Sequence, residues 1–176
     1  MKLRNSDVEN SARAAKWRGY AINLLLVVLV VTGIRLWQQR DMVAGDAPQL
    51  QGITLAGQPY RLPLHPDHPV LVHFWASWCP VCRAEQGAIA AIAQDDLNVI
   101  TIAMQSGTPE QVAAHMREQG IAFPVLNDPE GRIARAWGVP AVPVSFIIAP
   151  DGEIRFVEVG YTTQIGLRLR MWLAGV

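Results

Sequence analysis

Apolar positions along this chain follow two different rhythms. Residues 19–34, GYAINLLLVVLVVTGI, form an uncharged run of 16, and adding Arg35, Leu36 and Trp37 gives 19. The run is apolar on every face and lacks the amphipathic period of a surface helix. Residues 38–50 are polar and irregular and read as a tether. From residue 51 onward, short apolar strands alternate with helical stretches. Residues 53–55 and 60–62 predict a small hairpin around Ala56-Gly57-Gln58. Residues 70–75, VLVHFW, are nearly all apolar, as in a strand covered on both faces. A helix follows over 80–93 and a second strand over 99–104. Thr108-Pro109-Glu110-Gln111 is a capping box with proline at the first helical position. It opens a helix to about Gln119, stopped by Gly120. A short extended piece at 125–126 and a short helix at 133–137 come next. Strands at 144–148 and 154–159 flank the turn Pro150-Asp151-Gly152 and pair antiparallel, and a last helix runs over 163–173. The order β-α-β-α and then β-β-α predicts an α/β domain over 51–176 with a mixed central sheet flanked by helices.

Charge separates the two regions further. The whole chain of 176 residues has 15 basic and 15 acidic residues. That balance excludes a strongly basic nucleic-acid binder and predicts no nucleic-acid partner. Residues 1–19 nevertheless carry a net +3 and the remainder −3, and no lysine follows Lys16. A spanning helix needs about 20 residues. Residues 20–37 therefore predict a transmembrane helix in a lipid bilayer, with Tyr20 and Trp37 at its interfaces and Arg35 reaching to the headgroups. The basic head, 1–19, places the N-terminus in the cytoplasm and the C-terminal domain outside. A cleaved signal peptide shares the basic head and apolar middle. Against it, the head is long and the nearest small-residue site, 45–47, lies well past the apolar run. A buried core helix is the third reading. Either of the first two puts the domain in an oxidising compartment.

The chemistry concentrates at Trp78-Cys79-Pro80-Val81-Cys82, where a strand hands over to a helix. In this context C-x-x-C reads as a redox pair. With Cys79 at the helix N-cap, the two sulfurs lie one turn apart on one face. The helix start offers free N–H groups and a positive dipole end that stabilise a Cys79 thiolate. The thiolate is the attacking species in disulfide exchange. Cys79 is thus expected to be exposed and nucleophilic, and Cys82 shielded and resolving. Two other readings remain. A structural disulfide over so short a loop removes little unfolded-chain entropy. A metal site needs more ligands, and His65, His68, His73 and His115 form no paired spacing. No metal and no cofactor are expected.

Residues 70–82, VLVHFWASWCPVC, resemble the active-site strand and turn of thioredoxin-like proteins. With the apolar N-terminal segment, the hairpin and Arg83-Ala84-Glu85, the chain is similar to the membrane-tethered extracytoplasmic branch, the TlpA/ResA/CcmG-type reductases. The Cys-Pro-Val-Cys choice is most similar to the suppressor of copper sensitivity protein D group. The resemblance covers about residues 48–176 and implies a thioredoxin-like fold. Gly138-Val139-Pro140-Ala141-Val142-Pro143 resembles the family's cis-proline segment. It assigns Pro143 as the cis-proline and Val142 as the residue before it, with Pro140 trans. Proline lacks an N–H, which leaves room beside the thiols for a client backbone. Trp78, Pro80, Val81 and Val142 are therefore candidate substrate contacts, and Trp75 a core residue. Glu85 matches the family's acid near the active site, where it affects thiol ionisation or proton transfer; a solvated helix residue is the plainer reading. His73 matches thioredoxin's buried aspartate, and is read either as a proton relay or as a satisfied core histidine. Arg83 is the one nearby cation.

Taken together, these features imply a thiol:disulfide oxidoreductase in a bacterial inner membrane, single-pass, with its catalytic domain in the periplasm. The resemblance favours reduction of selected client disulfides, of cytochrome c maturation or copper-tolerance proteins. The apolar run carries no cysteine and cannot itself pass electrons, so a membrane donor of the DsbD or CcdA type is required. Three alternatives stay open: a copper-binding chaperone, a disulfide oxidant and a purely binding domain. Copper chaperones of the Sco type use C-x-x-x-C and a distant histidine, and no histidine follows His115 here.

Overall fold

A computed structural model describes residues 17, 20, 22–30, 32, 33, 42–95 and 98–176. The chain divides at residue 40 into two units, each described by itself. In the first, residues 17, 20, 22–30, 32 and 33 are helical and exposed. No helix among the described residues is long and apolar enough to cross a membrane. The remainder of the expected 20–37 span and most of the 1–19 head lie outside the described residues.

The second unit contains a six-stranded sheet and a two-stranded hairpin. Its elements are β1 (Gly45–Asp46), β2 (Gln51–Ile53), β3 (Pro59–Arg61), β4 (Val70–Trp75), α1 (Pro80–Gln94), β5 (Asn98–Met104), α2 (Pro109–Gln119), β6 (Val125–Asp128), α3 (Arg132–Ala136), β7 (Val144–Ile148), β8 (Glu153–Val159) and α4 (Gln164–Ala174). The sheet order is β1-β8-β7-β4-β5-β6. Strands β4, β5 and β6 run parallel, whereas β7 and β8 pair antiparallel. This is the mixed sheet that the element order predicted.

Alternation along β4 divides the core in two. Leu71 and Trp75 face a cluster shared with Cys79, Cys82, Ile89 and Ile92 of α1, Val112 of α2 and Leu167 of α4. Val70, Val72 and Phe74 face the other cluster with Ala134 of α3, Trp137 and Phe146. There the rings of Phe74, Trp137 and Phe146 meet at centroid distances of 5.0 to 5.8 Å in tilted or edge-on contacts. Every residue of β4 is buried, which explains its continuous apolar run.

Thr108 caps α2 together with the reciprocal Gln111 contact, and Gly120 ends it in the left-handed region at φ 64°. The turn between β7 and β8 needs glycine twice over. Gly152 has φ +87°, and a Cβ there would lie 2.1 Å from the Leu64 carbonyl oxygen.

Two expectations shift. The hairpin strands sit earlier than 53–55 and 60–62, because a five-residue turn consumes Thr54. Its N–H donates to Gln58 O at 2.9 Å, while Leu55 N–H donates to Val125 O at 2.9 Å across the edge of β6. Of the expected tether, 38–50, residues 42–50 are described and pack on the domain, and 38–41 lie outside the described residues. Met42 and Leu50 are buried with Trp137, β1 pairs with β8, and Ala47 N–H donates to Gly152 O at 3.0 Å. The apolar residues among 42–50 follow neither a helical nor a strand period, and contacts remote in sequence order them.

Candidate active site

The site begins where β4 ends. Cys79 N–H donates to Ala76 O at 3.2 Å, turning the chain toward α1. Ser77 N–H donates to Ser106 Oγ at 3.0 Å, and the Trp78 indole Nε1–H donates to Gln105 O at 3.0 Å. Two ties from the loop after β5 therefore fix the residues just before the first cysteine. Cys79 is the N-cap of α1, with extended φ −89° and ψ 111°, and Pro80 opens the helix. The Cys79 sulfur accepts from Cys82 N–H at 3.0 Å, filling the role of an N-cap oxygen. The two cysteines form a disulfide, with Cα atoms 5.3 Å apart.

Cys82 is fully buried, as expected, but Cys79 is only 4% exposed rather than open to solvent. The reason is the loop before β7. Its Val142–Pro143 bond is cis, and Val142 O lies 3.7 Å from the Cys79 sulfur. Pro143 is the only residue preceded by a cis bond among the described residues, so Pro140 is trans. Trp78, at 58% exposure, and Val81, at 44%, stand at the rim; Pro80 and Arg83 are also exposed, and Val142 is half-buried.

Glu85, one turn beyond Cys82, is 0% exposed rather than a solvated helix residue. Its Oε1 accepts from Thr162 N–H at 3.1 Å, and its Oε2 has no partner. Burial pushes its carboxyl up to about 7 against the opposing pull of that N–H. His73 is also buried, and its Nδ1 lies 2.9 Å from Ser145 Oγ on the neighbouring strand. Desolvation pushes the imidazole down to about 3, so it stays neutral at physiological pH. Trp75 is a core residue whose Nε1–H donates to Thr101 Oγ1 at 3.1 Å. No group of three or more metal-ligating side chains occurs among the described residues.

The sequence reading missed the parts that hold the site. Gly160 N–H donates to Pro143 O at 2.9 Å, and two residues on Thr162 N–H holds Glu85. Ser106 and Gln105 brace the other side. These contacts arise from strand order, and no spacing in the sequence announces them. Gln105 is the one non-glycine residue with positive φ, 48°, among the described residues. A buried N-cap sulfur bonded to a second sulfur, with a buried carboxyl one helical turn further along α1, is suited to thiol–disulfide exchange.

The sequence profile of the AhpC/TSA family matches residues 43–157. That match lies within the second unit. A curated thioredoxin-like protein of Haemophilus influenzae is 28% identical over 154 residues, covering 87% of this chain and 92% of that one. The thiol:disulfide interchange protein DsbE of Escherichia coli is 27% identical over 165 residues, covering 84% and 86%. Among solved structures, a thioredoxin-family thiol:disulfide interchange protein of Chlorobium tepidum superposes with a TM-score of 0.65 at 26% identity. It covers 76% of this chain and 98% of its own.

Proposed function

Because this chain belongs to the AhpC/TSA family and is a thioredoxin-like thiol:disulfide oxidoreductase of the DsbE type, we propose that it reduces selected client disulfides from a membrane anchor. The observation that carries the reading is the Cys79–Cys82 disulfide at the start of α1, with Cys82 N–H aimed at the Cys79 sulfur. In the reduced protein, the Cys79 thiolate attacks a client sulfur and forms a mixed disulfide, expelling one client thiolate. Cys82 then gives up its proton and attacks the Cys79 sulfur. The second client thiolate leaves, and the protein is left with its own disulfide. Two electrons pass to the client. Glu85, one turn from Cys82, takes and returns the proton, which a carboxyl titrating near neutrality does best. Val142 and Pro143, beside the sulfur, receive the client backbone, with Trp78, Pro80 and Val81 as further contacts.

Residues 20–37 form the membrane span in this proposal, with the 1–19 head cytoplasmic and the domain periplasmic. The support is the basic head followed by an uncharged run. A membrane donor of the DsbD or CcdA type returns the electrons. The clients belong to cytochrome c maturation or copper tolerance.

Two experiments test this reading. Cys82→Ser should trap clients on Cys79 as mixed disulfides on non-reducing gels, and absence of any trapped species would count against exchange. Alkaline phosphatase fused after Arg40 should be active, whereas an inactive fusion reverses the topology.

A further inference from the structure

Helix α4 carries two apolar stripes, and the fold uses only one. Leu167, Met171 and Ala174 are buried in the core cluster that α4 shares with α1. On the opposite side Ile165, Leu169 and Trp172 recur at spacings of four and three, at 80, 53 and 65% exposure, and Leu173 joins them at 48%. Beside this seam opens a groove of about 590 Å³, lined by Trp172, Met171, Gly175, Pro69 and His68 among others. The two cations of α4 flank the seam and are already engaged within the chain. Arg168 pairs with Asp95 at the end of α1, and Arg170 Nε lies 2.6 Å from Glu158 Oε1 of β8. The helix contains no acidic residue.

We propose that a second copy of this chain covers the exposed face of α4, forming a two-fold dimer. Four large side chains at these exposures present on the order of 500 Å² of apolar area, and the adjoining groove brings the face near the roughly 800 Å² that one partner contributes to a stable interface. An apolar face whose rim charges are neutralised within its own chain matches itself across a two-fold axis and offers nothing to a charged partner. A bilayer fits the face less well. Met42, the first described residue of the domain, packs in the cluster on the other side of the sheet, so α4 faces away from the side where the chain leads back to the apolar run. The Trp172 end of the seam adjoins Pro69 before β4, whereas Cys79 follows the end of that strand, so the dimer leaves the disulfide open to clients.

The test uses the full chain. Leu169→p-benzoylphenylalanine, irradiated in membranes of expressing cells, should give a product of twice the chain mass in which mass spectrometry finds α4 joined to α4. The same substitution at the exposed Arg132 of α3 should give no such product. In detergent micelles, sedimentation velocity should show a dimer whose dissociation constant rises at least about tenfold in Trp172→Ala, as for a central aromatic of an interface. Leu169→Asp, which sets a charge in the seam, should sediment as a monomer and keep the wild-type rate of thiol–disulfide exchange. A photoproduct with lipid alone, or with a different protein alone, overturns the proposal, and so does equal doubling from Leu169 and Arg132. A wild type that sediments as a monomer also overturns it. So does a dimer that Trp172→Ala and Leu169→Asp leave unchanged, which places the contact outside α4.

Discussion

Replacing Glu85 with glutamine keeps an acceptor for Thr162 N–H and removes an ionisable group from a site with no exposure. Burial raises the folded carboxyl to about 7 from an ordinary 4.5. Between these two values the folded state holds a proton that the unfolded chain has already shed. The Glu85 contribution to wild-type stability therefore declines as pH rises from about 4.5 to about 7, and stays at the lower level above that. Each tenfold in proton affinity is worth about 1.4 kcal/mol, so the whole decline amounts to about 3 kcal/mol. Glutamine does not ionise and escapes it. Urea unfolding of the oxidised protein, followed by circular dichroism across this range, reads the difference directly. The variant should match the wild type to within its mutational offset near pH 4 and gain on it by up to about 3 kcal/mol near pH 8. A difference between the two proteins that does not change with pH would refute the reasoning. So would a variant that loses ground as pH rises, since that is the mark of a carboxylate held by a positive partner.

His73 carries the opposite sign. Its imidazole is pushed down from 6.5 to about 3, so the unfolded chain takes up a proton in that interval which the folded one refuses. The His73 contribution to wild-type stability should fall as pH drops below about 6.5, so His73→Asn should gain on the wild type toward acid pH in the same urea series; a difference between the two proteins that does not change with pH would place the titrating group elsewhere. Pro143→Thr restores a backbone N–H beside the client position. Release of the mixed disulfide should slow about five- to tenfold, the worth of one added hydrogen bond, as seen by accumulation of the trapped species in quenched-flow gels. Unchanged release would mean that Pro143 does not face the client.

Much of the domain was legible in the sequence because its strongest signals are local. The period-free apolar run of β4, the Thr108–Gln111 capping box and the Pro150-Asp151-Gly152 turn each act within a few residues, and each sits where it was expected. The cysteine pair was legible for the same reason, since one helical turn fixes its geometry. Elements stabilised by remote partners were not. Met42 and β1 are ordered by Trp137 and β8, and residues 42–50 on their own have the composition of a tether. Burial of Cys79 involves Val142, far along the chain, and the rise in the Glu85 carboxyl follows from its burial, with Thr162 of the connection between β8 and α4 as its hydrogen-bond partner. Ser106, Gln105 and Gly160–Thr162 share the same obstacle. Their value lies in main-chain groups or one hydroxyl, and their proximity to Cys79 follows only from the order of strands in the sheet.

The account turns on the start of α1 favouring the anionic form of one sulfur. The pH dependence of iodoacetamide labelling at Cys79 in the reduced protein, mapped by mass spectrometry, tests this most directly, because the midpoint of the rate profile does not depend on how accessible the sulfur is. The account predicts a midpoint below that of a free cysteine peptide, with Cys82 labelled only at higher pH. A Cys79 midpoint at or above the free thiol would contradict it.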